Sequence, residues 1–177
     1  RGEKGFGIEP VSDFNVTQYL GRWFQTHTDL LANATYEANA VCVVADYGLN
    51  ANGSVSVRNS ENVGSATGPR KEIFGYASVD DPSDPAKLTV YLQGVPVGAP
   101  YWVVLVGPIV DGKYDWAVVS DGLEVSLFVL TRDVQRFRAQ YEKHVLQELA
   151  AMGFTEFWNK PIPTSQAGCN YLPPPTM

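Results

Sequence analysis

The chain has 177 residues, 45% of them hydrophobic and 18% charged, which suits one globular domain and excludes intrinsic disorder for its body. Thirteen Lys and Arg against nineteen Asp and Glu leave a net charge of −6, a balance that argues against binding nucleic acid or docking electrostatically on anionic lipid. The longest apolar run, residues 101–110, contains Gly107 and Pro108 and is about half the length of a membrane-spanning helix.

In chain order, residues 1–12 carry three glycines and a proline and read as an irregular lead-in. Residues 21–29 read as the first strand and 41–47 as a second, too continuously apolar to assign its faces. Residues 54–59 alternate cleanly, with Val55 and Val57 on one face. Asn52-Gly53 just before them marks a hairpin turn. Residues 73–79 form the next strand, where Gly75 permits a close approach or a bulge. A turn dense in Asp and Pro leads into 87–93, with Leu88, Val90 and Leu92 facing one way. Residues 101–106 and 114–119 read as a further hairpin, and 126–131 close the run.

The periodicity then changes. Asp133 can cap a helix of about 18 residues whose apolar stripe is Val134, Phe137, Tyr141, Val145 and Leu149, with Gly153 just past its end. Residues 154–159 read as one more strand, and 173–177 as an extended Pro-rich tail. Eight short strands at regular spacing imply a sandwich or a closed up-and-down barrel. A barrel of eight strands is either filled by side chains or holds one small ligand, and composition does not choose between them. Cys42 and Cys169 permit one disulfide. With only His27 and His144 beside them, no metal site is expected.

Specific residues then meet this order of elements. Gly21-Arg22-Trp23 resembles the first signature of the lipocalin family, a Gly-x-Trp at the start of the first strand. Tyr114-Asp115-Trp116-Ala117-Val118 resembles the second, without its usual Thr-Asp-Tyr form, and residues 127–133 resemble the third, with its single arginine at Arg132. Residues 42–47 and 52–59 resemble the apolipoprotein D-like branch, in which the equivalent of Cys42 pairs with a C-terminal cysteine matched here by Cys169.

The resemblance covers residues 13–172, the expected barrel domain. It implies an all-β fold: an eight-stranded antiparallel up-and-down barrel with one C-terminal α-helix packed outside and a cup for one lipophilic molecule. It also implies that Arg132 stacks over Trp23 beside Gly21 at the closed end, a cation–π contact of about 0.5–2 kcal/mol. A Cys42–Cys169 bridge would add up to about 5 kcal/mol. It would place the protein outside the cytoplasm, secreted or in an organelle lumen such as the thylakoid lumen.

Tyr47, Val90, Leu92, Tyr101, Val103 and Phe128 are expected to line the cup, the Phe128 position being often aromatic in the family. His27 shares the parity of Trp23 and Gln25 and is expected to face the cup and bond a ligand headgroup. Asp80, Asp81 and Asp84 lack the spacing of a calcium loop and read as a solvated turn. Asn15, Asn33 and Asn52 begin glycosylation sequons that matter only in a secretory pathway.

The first functional reading is therefore non-covalent binding and carriage of a small lipophilic ligand: a fatty acid, sterol, retinoid, carotenoid or bilin. No cofactor is required, and the bound ligand or pigment is the only small-molecule partner expected. The second reading is an accessory structural subunit docked on a larger, pigment-bearing membrane complex. An enzyme acting on a lipophilic substrate ranks last. It would need His27, Asp46 or Glu72 in the cup, and neither a Gly-x-Ser-x-Gly elbow nor a phosphate loop is present.

Overall fold

The computed structural model describes residues 7–35 and 38–176. Eight of its strands form the wall of a barrel: β1 Gly21–Thr28, β2 Ala40–Leu49, β3 Val55–Val63, β4 Arg70–Val79, β5 Lys87–Leu92, β6 Ala99–Val106, β9 Trp116–Ser120 and β10 Leu127–Thr131. A two-residue hairpin, β7 Ile109–Val110 with β8 Lys113–Tyr114, lies between β6 and β9. Each wall strand runs antiparallel to its neighbours, and β10 pairs with β1, from Phe24 opposite Thr131 to Thr28 opposite Phe128. That last ladder closes the sheet and leaves it without free edges, which favours a barrel over a sandwich.

The local signals act where the sequence places them. Gly53 takes φ +87° in the β2–β3 turn, and a Cβ on Gly75 would lie 2.1 Å from the Tyr91 carbonyl oxygen. Val55, Val57, Ala77 and Leu88 point inward with Trp23, Val103, Val119 and Leu130, forming a buried cluster inside the barrel.

A second buried cluster lies outside the wall. There Val104, Trp116, Val118, Leu127 and Val129 meet Phe137, Val145 and Leu149 of the helical segment. That segment is α3 Val134–Arg136, a π-helical turn Phe137–Tyr141 and α4 Glu142–Ala151, following the short α1 Val16–Tyr19 and α2 Leu30–Thr35. Its N-cap is Asp133, whose Oδ1 accepts from the Arg136 amide at 2.9 Å. The π turn has a geometric reason. A strict four-residue repeat drifts by about 40° per step on an α-helix, and one extra residue in a turn takes back about 100°. Phe137 and Leu149, three such steps apart, therefore face the same wall.

Residues 154–159 depart from the expected strand and form turns. Asn159 donates through Nδ2 to the Gly153 and Glu124 carbonyls and accepts from the Glu156 amide, so side-chain bonds replace a ladder. The extra short strand comes later, as β11 Ile162–Pro163, paired with His27 and Thr28 where β2 diverges from β1. The Cys42–Cys169 disulfide, with Cα atoms 5.6 Å apart, then fastens the following chain to β2. Gln166 adds bonds of 2.9 Å to the Gln25 and Val43 carbonyls. The lead-in is also tied down within its described part: Ile8 is buried in the helix-side cluster, and the Val11 amide donates to Val103 at 2.9 Å.

One end of the barrel is sealed. Arg132 lies over the Trp23 ring at 3.6 Å from its centroid. Its guanidinium donates to the carbonyls of Tyr19, Leu20, Arg22 and Tyr114 at 2.9–3.1 Å. Burial lowers its pKa to about 10, so the group stays charged at neutral pH. Replacing it, Arg132→Ala, orphans several carbonyls at once and is expected to cost about 2–4 kcal/mol in urea unfolding. Reducing the disulfide is expected to cost about 2–5 kcal/mol in the same measurement.

Candidate functional site

At the opposite end four loops diverge: β1–β2 with α2, β3–β4, β5–β6 and β9–β10. Between them opens a cavity of about 920 Å³. Its lower walls are apolar, from Val44, Val57, Ile73, Val119 and Leu130 among others. Its floor carries Tyr47 and Tyr101, with Tyr19 of α1 beneath. The rim mixes apolar Leu31, Val97 and Val125 with charged Glu61, Lys71, Glu72 and Asp121.

The structure brings Tyr47, Val90, Leu92, Tyr101 and Phe128 together around this cavity. Val103, two residues closer to the sealed end than Tyr101, is fully buried within the barrel and fills it instead of lining the cup.

His27 faces the other way. The ladder between β1 and β10 slips between Gln25 and His27, and this bulge inverts the parity that Trp23 and Gln25 set. The ring packs outside the barrel, 3.4 Å from a Glu142 oxygen and 6.4 Å between centroids from Phe137. Burial lowers its pKa below the usual 6.5, against the pull of Glu142, so the imidazole is neutral at pH 7. Asp46 is also outside, held by Arg22 at 2.8 Å and Arg58 at 2.8 Å. Of the three polar groups a catalytic cup would need, only Glu72 borders the cavity.

Of the charged rim residues, the sequence singles out only Glu72. Glu61 continues the inward parity of Val55 and Val57, so its position was readable. Its carboxyl is raised by burial, with Lys71 at 3.8 Å opposing the shift. Asp29 carries no such pattern. It is fully buried, and its Oδ1 accepts from the Ala32 amide at 2.8 Å, capping α2 over the cavity. Its Oδ2 has no hydrogen-bond partner among the described residues. Burial pushes this carboxyl up to about 6, with the Ala32 amide opposing the rise and the Asp121 charge adding to it. Among the described residues no three His, Cys, Asp or Glu side chains cluster to hold a metal ion.

A family model described as a lipocalin-like domain matches residues 14–160. Apolipoprotein D of Mus musculus is 35% identical over 96 residues, 54% of this chain and 48% of that protein. The Lazarillo protein of Schistocerca americana is 26% identical over 95 residues, 53% of this chain and 42% of that protein. The chain thus spans about half the length of the curated relatives it matches. Among solved structures, lobster apocrustacyanin A1 superposes with a TM-score of 0.62 at 15% identity, covering 94% of each chain. The amine-binding protein of Rhodnius prolixus, in its tryptamine complex, gives 0.60 at 16% identity, covering 93% of this chain and 88% of that one.

The Asp29 shift has a testable sign. The folded chain holds this proton more tightly than the unfolded one, so the group's contribution to stability is greatest below pH 4 and is lost as pH rises through about 6. Asp29→Asn keeps an acceptor for the Ala32 amide without the charge. Thermal unfolding at pH 4 and pH 7.5 is expected to show the variant gaining about 1–2 kcal/mol on the wild type between the two.

Proposed function

The chain belongs to the lipocalin-like family, and from that premise we propose that it binds and carries one small lipophilic molecule in its cup, with no covalent step. Members of this family are generally binding and transport proteins, which supports carriage over catalysis. The single observation that carries the reading is the open cavity of about 920 Å³, apolar below and charged only at its rim. That volume suits a molecule of drug or lipid size. A ligand that buries roughly 400 Å² of apolar surface gains up to about 10 kcal/mol before the costs of association.

The candidate classes are a fatty acid, sterol, retinoid, carotenoid or bilin. The ligand, pigment or otherwise, is the only small molecule this reading requires. The disulfide supports an extracytoplasmic compartment, and nothing supports the thylakoid lumen in particular.

Docking on a larger complex is the second reading. The observation that favours it is a row of half-exposed rings on the outer face of β4 and β5: Phe74, Tyr76 and Tyr91. The enzymatic reading loses ground because His27 and Asp46 stand outside the cup.

Titration with the fluorescent apolar probe N-phenyl-1-naphthylamine tests carriage. Saturation at one probe per chain is expected. Leu92→Lys, which puts a charge on the apolar wall, is expected to weaken binding at least about tenfold with an unchanged circular dichroism spectrum. Unsaturable uptake, or a variant that binds as well as the wild type, would contradict the reading.

A further inference from the structure

We propose that the floor of the cup selects one feature of its ligand: a neutral hydrogen-bond acceptor, such as a ketone or ether oxygen, on the end that enters first. This rests on the carrier reading and adds to it a chemical class and an orientation.

The observation is a count of protons. The hydroxyls of Tyr19, Tyr101 and Tyr47 form a chain, with Tyr101 bonded to Tyr19 on one side and to Tyr47 at 2.8 Å on the other. Three phenols bring three O–H donors, and two bonds use two of them. Among the described residues no other group accepts from any of the three. One donor is therefore left over. Hydroxyl protons rotate, so the chain can deliver the spare donor to Tyr47 or to Tyr101, both of which border the cavity. A buried donor without an acceptor is unfavourable, and a ligand oxygen on the floor relieves it.

Two further observations make the acceptor neutral. Burial raises Tyr47 to about 12 and holds the Tyr19 and Tyr101 phenols well above their usual 10, so all three stay protonated and act as donors. An anion would have to lose its water beside Val57 and Val90, with a single O–H to replace it. Arg132, whose charge acts on the floor phenols Tyr19 and Tyr47, is committed to backbone carbonyls. Lys71 belongs to the rim with Glu61 and Glu72, and a charged headgroup would stay there.

The test uses two probes of the same shape, 2-hexadecanone and 2-methylhexadec-1-ene, in which a methylene replaces the carbonyl oxygen. Each displaces N-phenyl-1-naphthylamine from the wild type and from the double variant Tyr47→Phe/Tyr101→Phe, which keeps both rings. The double variant is expected to bind the ketone about five- to tenfold more weakly and the alkene within about twofold of the wild type. Equal shifts for the two probes, or no loss for the ketone, would overturn the inference and leave carriage standing. Failure of both probes to displace from the wild type would also overturn the inference, whereas a wild type that does not take up N-phenyl-1-naphthylamine saturably would overturn carriage itself. A measurement on the wild type alone covers a variant that does not fold: the infrared stretch of the carbonyl-13C ketone. Bound, it is expected at lower wavenumber than in hexane, and an unshifted band would overturn the inference.

Discussion

A sheet closed into a barrel has no edges, but it has two ends, and the ends decide whether it is a filled core or a container. Here one guanidinium settles the matter at one end. Arg132, at the end of the last wall strand, lies on Trp23 of the first and donates to carbonyls of the chain entering it. The contact therefore acts at the seam between β10 and β1, and it also holds α1 across the opening. Tyr19, carried on α1, is thereby set beneath Tyr47 and Tyr101 as the floor. With that end plugged, side chains need not fill the other half of the barrel, and the cavity persists between the four opposite loops.

The polarity of the cup follows from how strands meet solvent. Inward positions deep in the barrel are apolar, while strand ends reach water and tolerate charge. Glu61 and Lys71 sit where β3 and β4 emerge from the wall, one on each strand. Asp29 is different, since it is buried beside the opening with one oxygen unpaired among the described residues. Its burial follows from capping α2, which carries Leu31 and Ala32 onto the mouth. The gain at the cap is a bond to one amide, and the cost is a carboxylate held away from water.

Much of this was legible because strand patterning has a period of two and helix patterning one of 3.6. The wall strands, the Asn52-Gly53 turn, the Asp133 cap and the stop at Gly153 all follow from residue type and spacing. The Cys42–Cys169 pairing came from family resemblance, since spacing alone permits a bridge without requiring it. What escaped was wherever one residue is added to a regular repeat. The bulge after Gln25 turns His27 from the cup to the helix, and a parity count cannot register a slip that the partner strand imposes. The π turn at Phe137 is the same event on a helix. Residues 154–159 escaped for another reason: their apolar content looks like a strand, but of their apolar residues only Phe154 is buried, and Asn159, itself buried, ties the backbone into turns.

The most direct measurement is native mass spectrometry of the protein from its natural source, before and after extraction with organic solvent. One lipophilic adduct per chain, removed by the solvent and identified in the extract, is the expected result. A chain that carries nothing from its own compartment, and stays bare when a hydrophobic probe is supplied, would show that the cup is not a carrier's cup.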